Sequence, residues 1–282
     1  EGGGGRAHTH MEIHTLEALS DNYMYLIVDS ATKQAAAVDP ADAAACAAGA
    51  RKLGVSVTTV LTTHHHFDHA GGNNAMKKLL PGIAVVGGKG DAIQGMTRPV
   101  LDGECLTIGE AVTISCMLTP CHTAGHMSYV ARAEGVAAAV FTGDILFVGG
   151  CGRFFEGGPE DMCSSVSKLS MLPAETRLFC GHEYTIKNLQ FALEVEPDNA
   201  HVQEKMLWAQ QMRSEGKFTI PSTIGEELKI NPFMRVSQPV VRRYCGGAEN
   251  DVLTMRRLRN KKDNFAGTSR PWVPGGGPLP GL

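Results

Sequence analysis

Val57-Thr58-Thr59-Val60-Leu61-Thr62-Thr63-His64-His65-His66-Phe67-Asp68-His69-Ala70-Gly71-Gly72 is the stretch on which the reading of this 282-residue chain turns. Its first half is β-branched and apolar, as in a buried strand. Its second half puts four imidazoles and a carboxylate into six positions, a density that packing has no reason to produce. Neutral imidazole binds borderline transition metals, and an ionised carboxylate can bridge or orient a water. The stretch therefore reads as a strand that ends in a metal site. Extended geometry sends His64 and His66 to one side, and the next turn can bring Asp68 and His69 round to the same hole. His65 reads as packing or as support for the others. Gly71-Gly72 lets the chain turn into a helix.

Working outward, residues 11–16, 23–28 and 34–38 read as short strands, with Asp39-Pro40 ending the third. Residues 41–53 are Ala-rich and helical with Gly54 as the stop; a helix over 71–80 and a strand over 83–86 follow. Further on, 106–108 and 112–118 form a hairpin across Gly109-Glu110, then 127–131 and 136–142 are strands, 161–172 a helix and 176–180 a last strand. Two β-rich halves with helices between them predict an α/β protein, a four-layer helix-sheet-sheet-helix sandwich rather than a doubly wound sheet. After residue 183 the strand signal fades. Asn199 caps a helix to about 214 and Asn250 one to about 264, joined by a long connection punctuated at Pro221 and Asn231-Pro232. The expected organisation is a catalytic domain over 11–183, a smaller, mainly helical substrate-binding domain over 184–266, and an irregular Gly/Pro-rich tail over 267–282.

Composition narrows the function classes. Hydrophobic residues make up 43% and charged residues 20%, the balance of a folded protein with a core, and no apolar run approaches a membrane span. A net charge of −3 gives no reason to expect nucleic acid as a partner. From Lys187 onward, however, 14 basic residues face 10 acidic ones, which makes the later part of the chain the place to look for an anionic ligand. The eight cysteines form no paired framework, so they read as core thiols of a reduced intracellular enzyme. The chain opens on Glu1 without an initiator Met and reads as trimmed. Cytoplasm is the expected compartment, with a mitochondrion or another organelle left open. His8 and His10 read as part of a flexible start rather than as ligands.

Three later segments each put candidate ligands at a strand end: Cys121-His122-Thr123-Ala124-Gly125-His126, Phe141-Thr142-Gly143-Asp144 and Cys180-Gly181-His182-Glu183-Tyr184. Ligand-bearing loops at one edge of a rigid sheet core are a sound way to assemble a site. Together with His64-x-His66-x-Asp68-His69, these segments resemble the metallo-β-lactamase superfamily and, within it, the hydroxyacylglutathione hydrolase (glyoxalase II) family. The resemblance runs from about Asp21 to Phe265 and includes Cys151-Gly152-Arg153-Phe154-Phe155-Glu156-Gly157 and Asn231-Pro232-Phe233-Met234-Arg235. The first motif alone identifies only the superfamily, and a metal centre of this kind also suits a lactamase, a phosphodiesterase or a sulfur dioxygenase.

The resemblance implies an αββα sandwich with a helical C-terminal domain and two divalent metal ions, Zn first, with Fe or Mn as alternatives. His64, His66 and His122 would hold one ion, Asp68, His69 and His182 the other, and Asp144 would bridge them. His126 would lie just outside these ligands. Asp68 and Asp144 would serve catalysis, with a metal-bound hydroxide attacking the thioester of S-D-lactoylglutathione to give D-lactate and glutathione. Arg259 and Lys262, three apart on one helix face, match positions that bind the glycine end of glutathione. Tyr184 matches a substrate-contacting Tyr. Arg153 stands where the family has Lys, and Phe155 stands where it more often has Tyr, which removes a phenolic donor. The expected partner is a small glutathione thioester, with no nucleic acid or membrane, and the expected state is a monomer. Hydrolysis of another acyl-thiol and a noncatalytic metal-stabilised module are the remaining readings.

Overall fold

The computed structural model describes residues 11–267 and 272–273; the expectations for His8, His10 and most of the Gly/Pro tail lie outside the described residues. The chain divides into two compact units: residues up to Leu118 with Met127–Phe141, and Thr119–His126 with Thr142 onward.

The first unit begins with β1 (Met11–Ala18), β2 (Asn22–Asp29), β3 (Gln34–Val38), α1 (Ala43–Leu53), β4 (Ser56–Leu61), α2 (Phe67–Ala70), α3 (Asn73–Leu79), β5 (Ala84–Gly88) and β6 (Arg98–Val100). The six strands form one sheet in sequence order, antiparallel through β3 and parallel beyond it. Every residue of β2 is buried, so this strand is covered on both faces. Met24, Leu26 and Val28 pack with Cys46 and Ala50 of α1 and Met76 of α3. Tyr25, pointing the other way as strand alternation requires, meets Phe141 edge-on with ring centroids 5.2 Å apart. Double-sided burial is what an inner layer of a sandwich demands.

The opposing layer is an antiparallel meander of β7 (Cys105–Ile108), β8 (Val112–Leu118), β9 (Met127–Arg132) and β10 (Ala139–Gly143). The phenol of Tyr129 on β9 donates to the carbonyl of Thr62 (2.8 Å), and Met127 N–H donates to Thr63 O (2.8 Å). Both bonds pin the end of β4, where the histidines begin.

The second unit holds the loop 119–126, the two-residue strands β11 (Leu146–Phe147) and β12 (Gly150–Cys151), α4 (Pro159–Ser170), β13 (Arg177–Cys180), α5 (Thr185–Val195), α6 (Ala200–Ser214), β14 (Ser222–Thr223), α7 (Ile224–Ile230), α8 (Pro239–Tyr244) and α9 (Asp251–Asp263). The second sheet runs β14-β13-β10-β9-β8-β7. The architecture is the αββα sandwich followed by a smaller helical C-terminal region, α5 to α9.

Local signals hold where they are chemical. Asp42, Asn199 and Asn250 each cap a helix, with side-chain oxygens accepting backbone N–H bonds, and Gly54 closes α1 at φ 68°. The expected helix over 71–80 differs. Asp68 and His69 sit in a one-turn helix of their own, and Gly71-Gly72 breaks the chain before α3. The connection after 220 contains α7 and α8, helices of seven and six residues that are too short to leave a readable period. The strands β6, β11, β12 and β14, two or three residues each, escape for the same reason.

Gly72 is required by space. A Cβ there would fall on the carbonyl oxygen of Pro40, where the chain leaves β3. Gly72→Ala is expected to lower stability by about 1–3 kcal/mol, as overpacking does. Thermal denaturation of the metal-free protein checks this, since metal binding would mask part of the loss.

Candidate metal centre

In the first unit, Thr62, Thr63, His64 and His69 are all buried. The carboxylate of Asp39, also buried, accepts from Thr63 N–H (2.7 Å), from Thr63 Oγ1 (2.7 Å) and from His69 Nδ1 (2.9 Å). Because the Thr63 hydroxyl proton goes to Asp39, its oxygen accepts from His64 Nδ1 (3.0 Å). One carboxylate thereby fixes the tautomers of two histidines and leaves Nε2 of each as a metal donor. His64 Nε2 lies 3.0 Å from His66 Nδ1. Asp68 is held from outside by the Asn22 amide, which donates to its carbonyl (3.0 Å) and to Oδ2 (3.2 Å). His65 instead pairs its Nδ1 with Asp91.

The second unit repeats the principle. His122 Nδ1 donates to the carbonyl of Arg153 (2.9 Å), directing Nε2 away from the loop. Asp144 Oδ2 lies 3.5 Å from His122 Nε2 and 3.4 Å from His182 Nε2. His126 accepts from Asp144 N–H at Nε2 (3.3 Å) and meets Thr119 Oγ1 at Nδ1 (3.0 Å), so it supports the Asp144 turn. Tyr184 stacks on His182 with ring planes 4° apart and centroids at 4.7 Å. Phe147 packs edge-on against both rings.

Three sets of side chains carry donor atoms suited to a metal ion: His64, His66 and His122; His64, His69 and Asp144; and Asp68, His69 and His182. The overlapping His/Asp sets make a binuclear divalent centre. The donor spacing fits. Ligands about 2.0–2.1 Å from a tetrahedral ion stand roughly 3.3 Å apart, and the spacings of 3.0, 3.4 and 3.5 Å fall on either side of that. All the donors are nitrogen or oxygen. No cysteine belongs to any of the three sets; burial pushes the nearby Cys180 thiol up to about 12 and raises Cys121 further.

The remaining residues singled out from the sequence lie in the second unit. Phe155 is 59% exposed and meets His122 edge-on, centroids 5.2 Å apart. Arg259 is buried on α9; it donates to Cys151 O (2.9 Å) and from Nε to Asp263 Oδ1 (3.1 Å), holds its Nη2 2.9 Å from the same oxygen as an ion pair, and lies over the Phe233 ring. Lys262 donates to Lys187 O (3.0 Å) above the rings of Phe191 and Phe265. Burial, with Arg259 and Lys187 nearby, lowers its ammonium to about 7. Arg153 is exposed, its Nε 3.6 Å from the same Asp263 oxygen.

Sequence reasoning missed Asp39, Asn22 and Asp263. Asp39 reads as a strand terminator beside Pro40, and only the fold puts it against Thr63 and His69. Asn22 lies inside the stretch that carried the family resemblance, but no motif gives it a role.

Fold and donor sets together define a metallo-β-lactamase-type metalloprotein, and the sequence model of the Metallo-beta-lactamase superfamily matches residues 24–182. The one for the hydroxyacylglutathione hydrolase C-terminus matches residues 183–265. The chain is 50% identical over 259 residues to a "Hydroxyacylglutathione hydrolase cytoplasmic" of Arabidopsis thaliana, covering 91% of this chain and 100% of that one. It is 45% identical over 258 residues to a "Hydroxyacylglutathione hydrolase-like protein" of Gallus gallus, covering 90% of each. Among solved structures, that of ETHE1 from Myxococcus xanthus aligns with a TM-score of 0.64 at 25% identity, covering 89% of this chain and 91% of the other. The chain belongs to the hydroxyacylglutathione hydrolase family.

Outer hydrogen-bond partners of metal-binding histidines typically contribute 10–100-fold to metal affinity. Asp39→Asn keeps the shape but removes the charge. It is expected to weaken metal binding by about that factor, read by competition against a chromophoric chelator, with the far-UV spectrum unchanged.

Proposed function

We propose that the protein hydrolyses S-D-lactoylglutathione and related 2-hydroxyacyl-glutathione thioesters to D-lactate, or another 2-hydroxy acid, and glutathione. The observation that carries this reading is the coexistence of two overlapping N/O donor sets with a cationic cluster on α9, in a chain of this family. His64, His66 and His122 would hold one ion and Asp68, His69 and His182 the other, with the Asp144 carboxylate available to both. When bound, two divalent ions lower the pKa of a water between them and stabilise the oxyanion that forms on the carbonyl.

The chain's own groups do the rest. Asp39 and the Arg153 carbonyl keep the imidazoles in the donor tautomer. Asp68 has two carboxylate oxygens, so one can ligate while the other orients the attacking water, and no separate general base is needed. A thiolate is a good leaving group, so no strong acid is demanded of the protein. Lys262 and Arg259 bind the glycine carboxylate of glutathione, and Arg153 adds charge at the entrance. Tyr184 contacts the thiol peptide from its seat on His182. Phe155 gives an apolar edge beside His122 in place of a phenol.

The division into a catalytic domain over 11–183 and a substrate domain over 184–266 is supported by the spans of the two sequence matches. We place the enzyme in the cytoplasm as a monomer. The reduced cysteines and the name of the Arabidopsis relative support that compartment. No helix among the described residues is long and apolar enough to cross a membrane.

Metal-replete protein should consume S-D-lactoylglutathione, followed as loss of thioester absorbance with matching release of free thiol. No turnover with metals bound would sink the assignment. Lys262→Ala should raise KM about ten-fold or more, the worth of one charge-assisted hydrogen bond, while metal content and kcat hold.

Binding also acquires a pH dependence with a definite sign. Lys262 must be protonated to attract a carboxylate and loses its proton near pH 7 in the free protein. The Ki of S-methylglutathione should therefore rise as pH increases from 7 to about 9, and Lys262→Arg, always charged, should flatten that rise.

A further inference from the structure

The carboxylate of Asp263 lies against one edge of the Arg259 guanidinium. Its Oδ1 accepts from Nε (3.1 Å), stands 2.9 Å from Nη2 as an ion pair and lies 3.6 Å from Arg153 Nε. A planar fork of this kind is the ordinary recognition surface for a free carboxylate. Its other end is fixed independently, since Nη1 donates to Cys151 O (2.9 Å) and the guanidinium rests over Phe233.

Asp263 is the last residue of α9, where the helix dipole disfavours negative charge. It follows Arg259 by four residues, the weaker order for a helical ion pair. The local gain from the pair is therefore small, and the carboxylate stands in a cationic cluster where its charge acts on the neighbouring guanidinium groups.

Resting on the reading of Arg259 and Lys262 as the glycine-carboxylate anchor, we propose that Asp263 is a specificity-determining counter-ion that competes with the glycine carboxylate for Arg259 and sets the affinity for glutathione thioesters. Substrate and released glutathione carry the same carboxylate, so the competition weakens both equally. That keeps the product from saturating the enzyme and adds nothing to the chemical step. The residue also favours ligands that bring a full carboxylate, because a neutral group cannot displace it from the fork.

The test compares wild type and Asp263→Asn, both metal-loaded, by calorimetric binding of S-methylglutathione and of its glycine amide. Asn retains an oxygen that can accept from Arg259 Nε and removes only the charge. The acid ligand should bind about three- to ten-fold tighter to the variant, as expected for removing one partly exposed charge. The amide should bind unchanged, and the melting temperature should hold or rise. With S-D-lactoylglutathione the gain should appear in KM rather than kcat. Unchanged or weaker binding of the acid ligand overturns the proposal, because Asp263 is then a clamp that orients Arg259; a lowered melting temperature would accompany that result. An equal shift for acid and amide also overturns it. If wild type binds neither ligand, the anchor reading fails along with this one. Wild-type binding that Asp263→Asn leaves unaltered defeats this inference alone.

Discussion

The Asp39 carboxylate is the constraint on which the metal centre depends. It is buried at the end of β3, in a left-handed conformation at φ 48° that a non-glycine residue adopts only when its surroundings hold it there. Two of its three bonds go to Thr63, immediately after β4, and the third goes to His69 in α2. Through the Thr63 hydroxyl it also governs His64. The register of two neighbouring parallel strands thus becomes the orientation of two imidazoles. The tight contact of Gly72 with Pro40 draws the same two chain segments together one step further on. Rigid sheet, oriented donors and metal affinity are consecutive links of one chain of cause.

The second unit uses a main-chain carbonyl for the same purpose, at His122, and a supporting imidazole, His126, at Asp144. Aromatic rings then take over. Tyr184 braces His182 by stacking and Phe147 by an edge-on contact, and Phe155 meets His122 from the exposed side. A Tyr at 155 would bring a polar tip to that edge. Phe keeps the ring contact with His122. On α9 the cations are embedded in their own contacts rather than simply displayed. Arg259 is buried and spoken for on two edges, and Lys262 lies on two aromatic rings with a weakened hold on its proton.

Much of this is legible in the sequence because ligand chemistry is local. The four strand-end segments can be picked out by residue type alone, and the short strand over 23–28 falls within β2. Helix caps at Asn199 and Asn250 are equally local, since one side-chain oxygen decides them. What escapes is what only folding brings together. Asp39 is 30 positions from His69 and 24 from Thr63, and nothing at Asp39-Pro40 distinguishes a ligand-orienting acid from a turn residue. The hairpin of β11 and β12 is likewise invisible as a two-residue ladder, although it carries Phe147 to His182 and Cys151 to Arg259. Asp263 looks like one more charge on a polar helix until the Arg259 fork is seen to close on it.

Two metal ions held by these donor sets make the chain a thioester hydrolase. Titrating metal-free protein with Zn, Fe(II) or Mn while measuring both bound metal and S-D-lactoylglutathione turnover tests it most directly. Activity should rise to its plateau only as occupancy reaches about two ions per chain, the number of sites the overlapping donor sets imply. Full activity at a single bound ion, or undiminished turnover without metal, would contradict it.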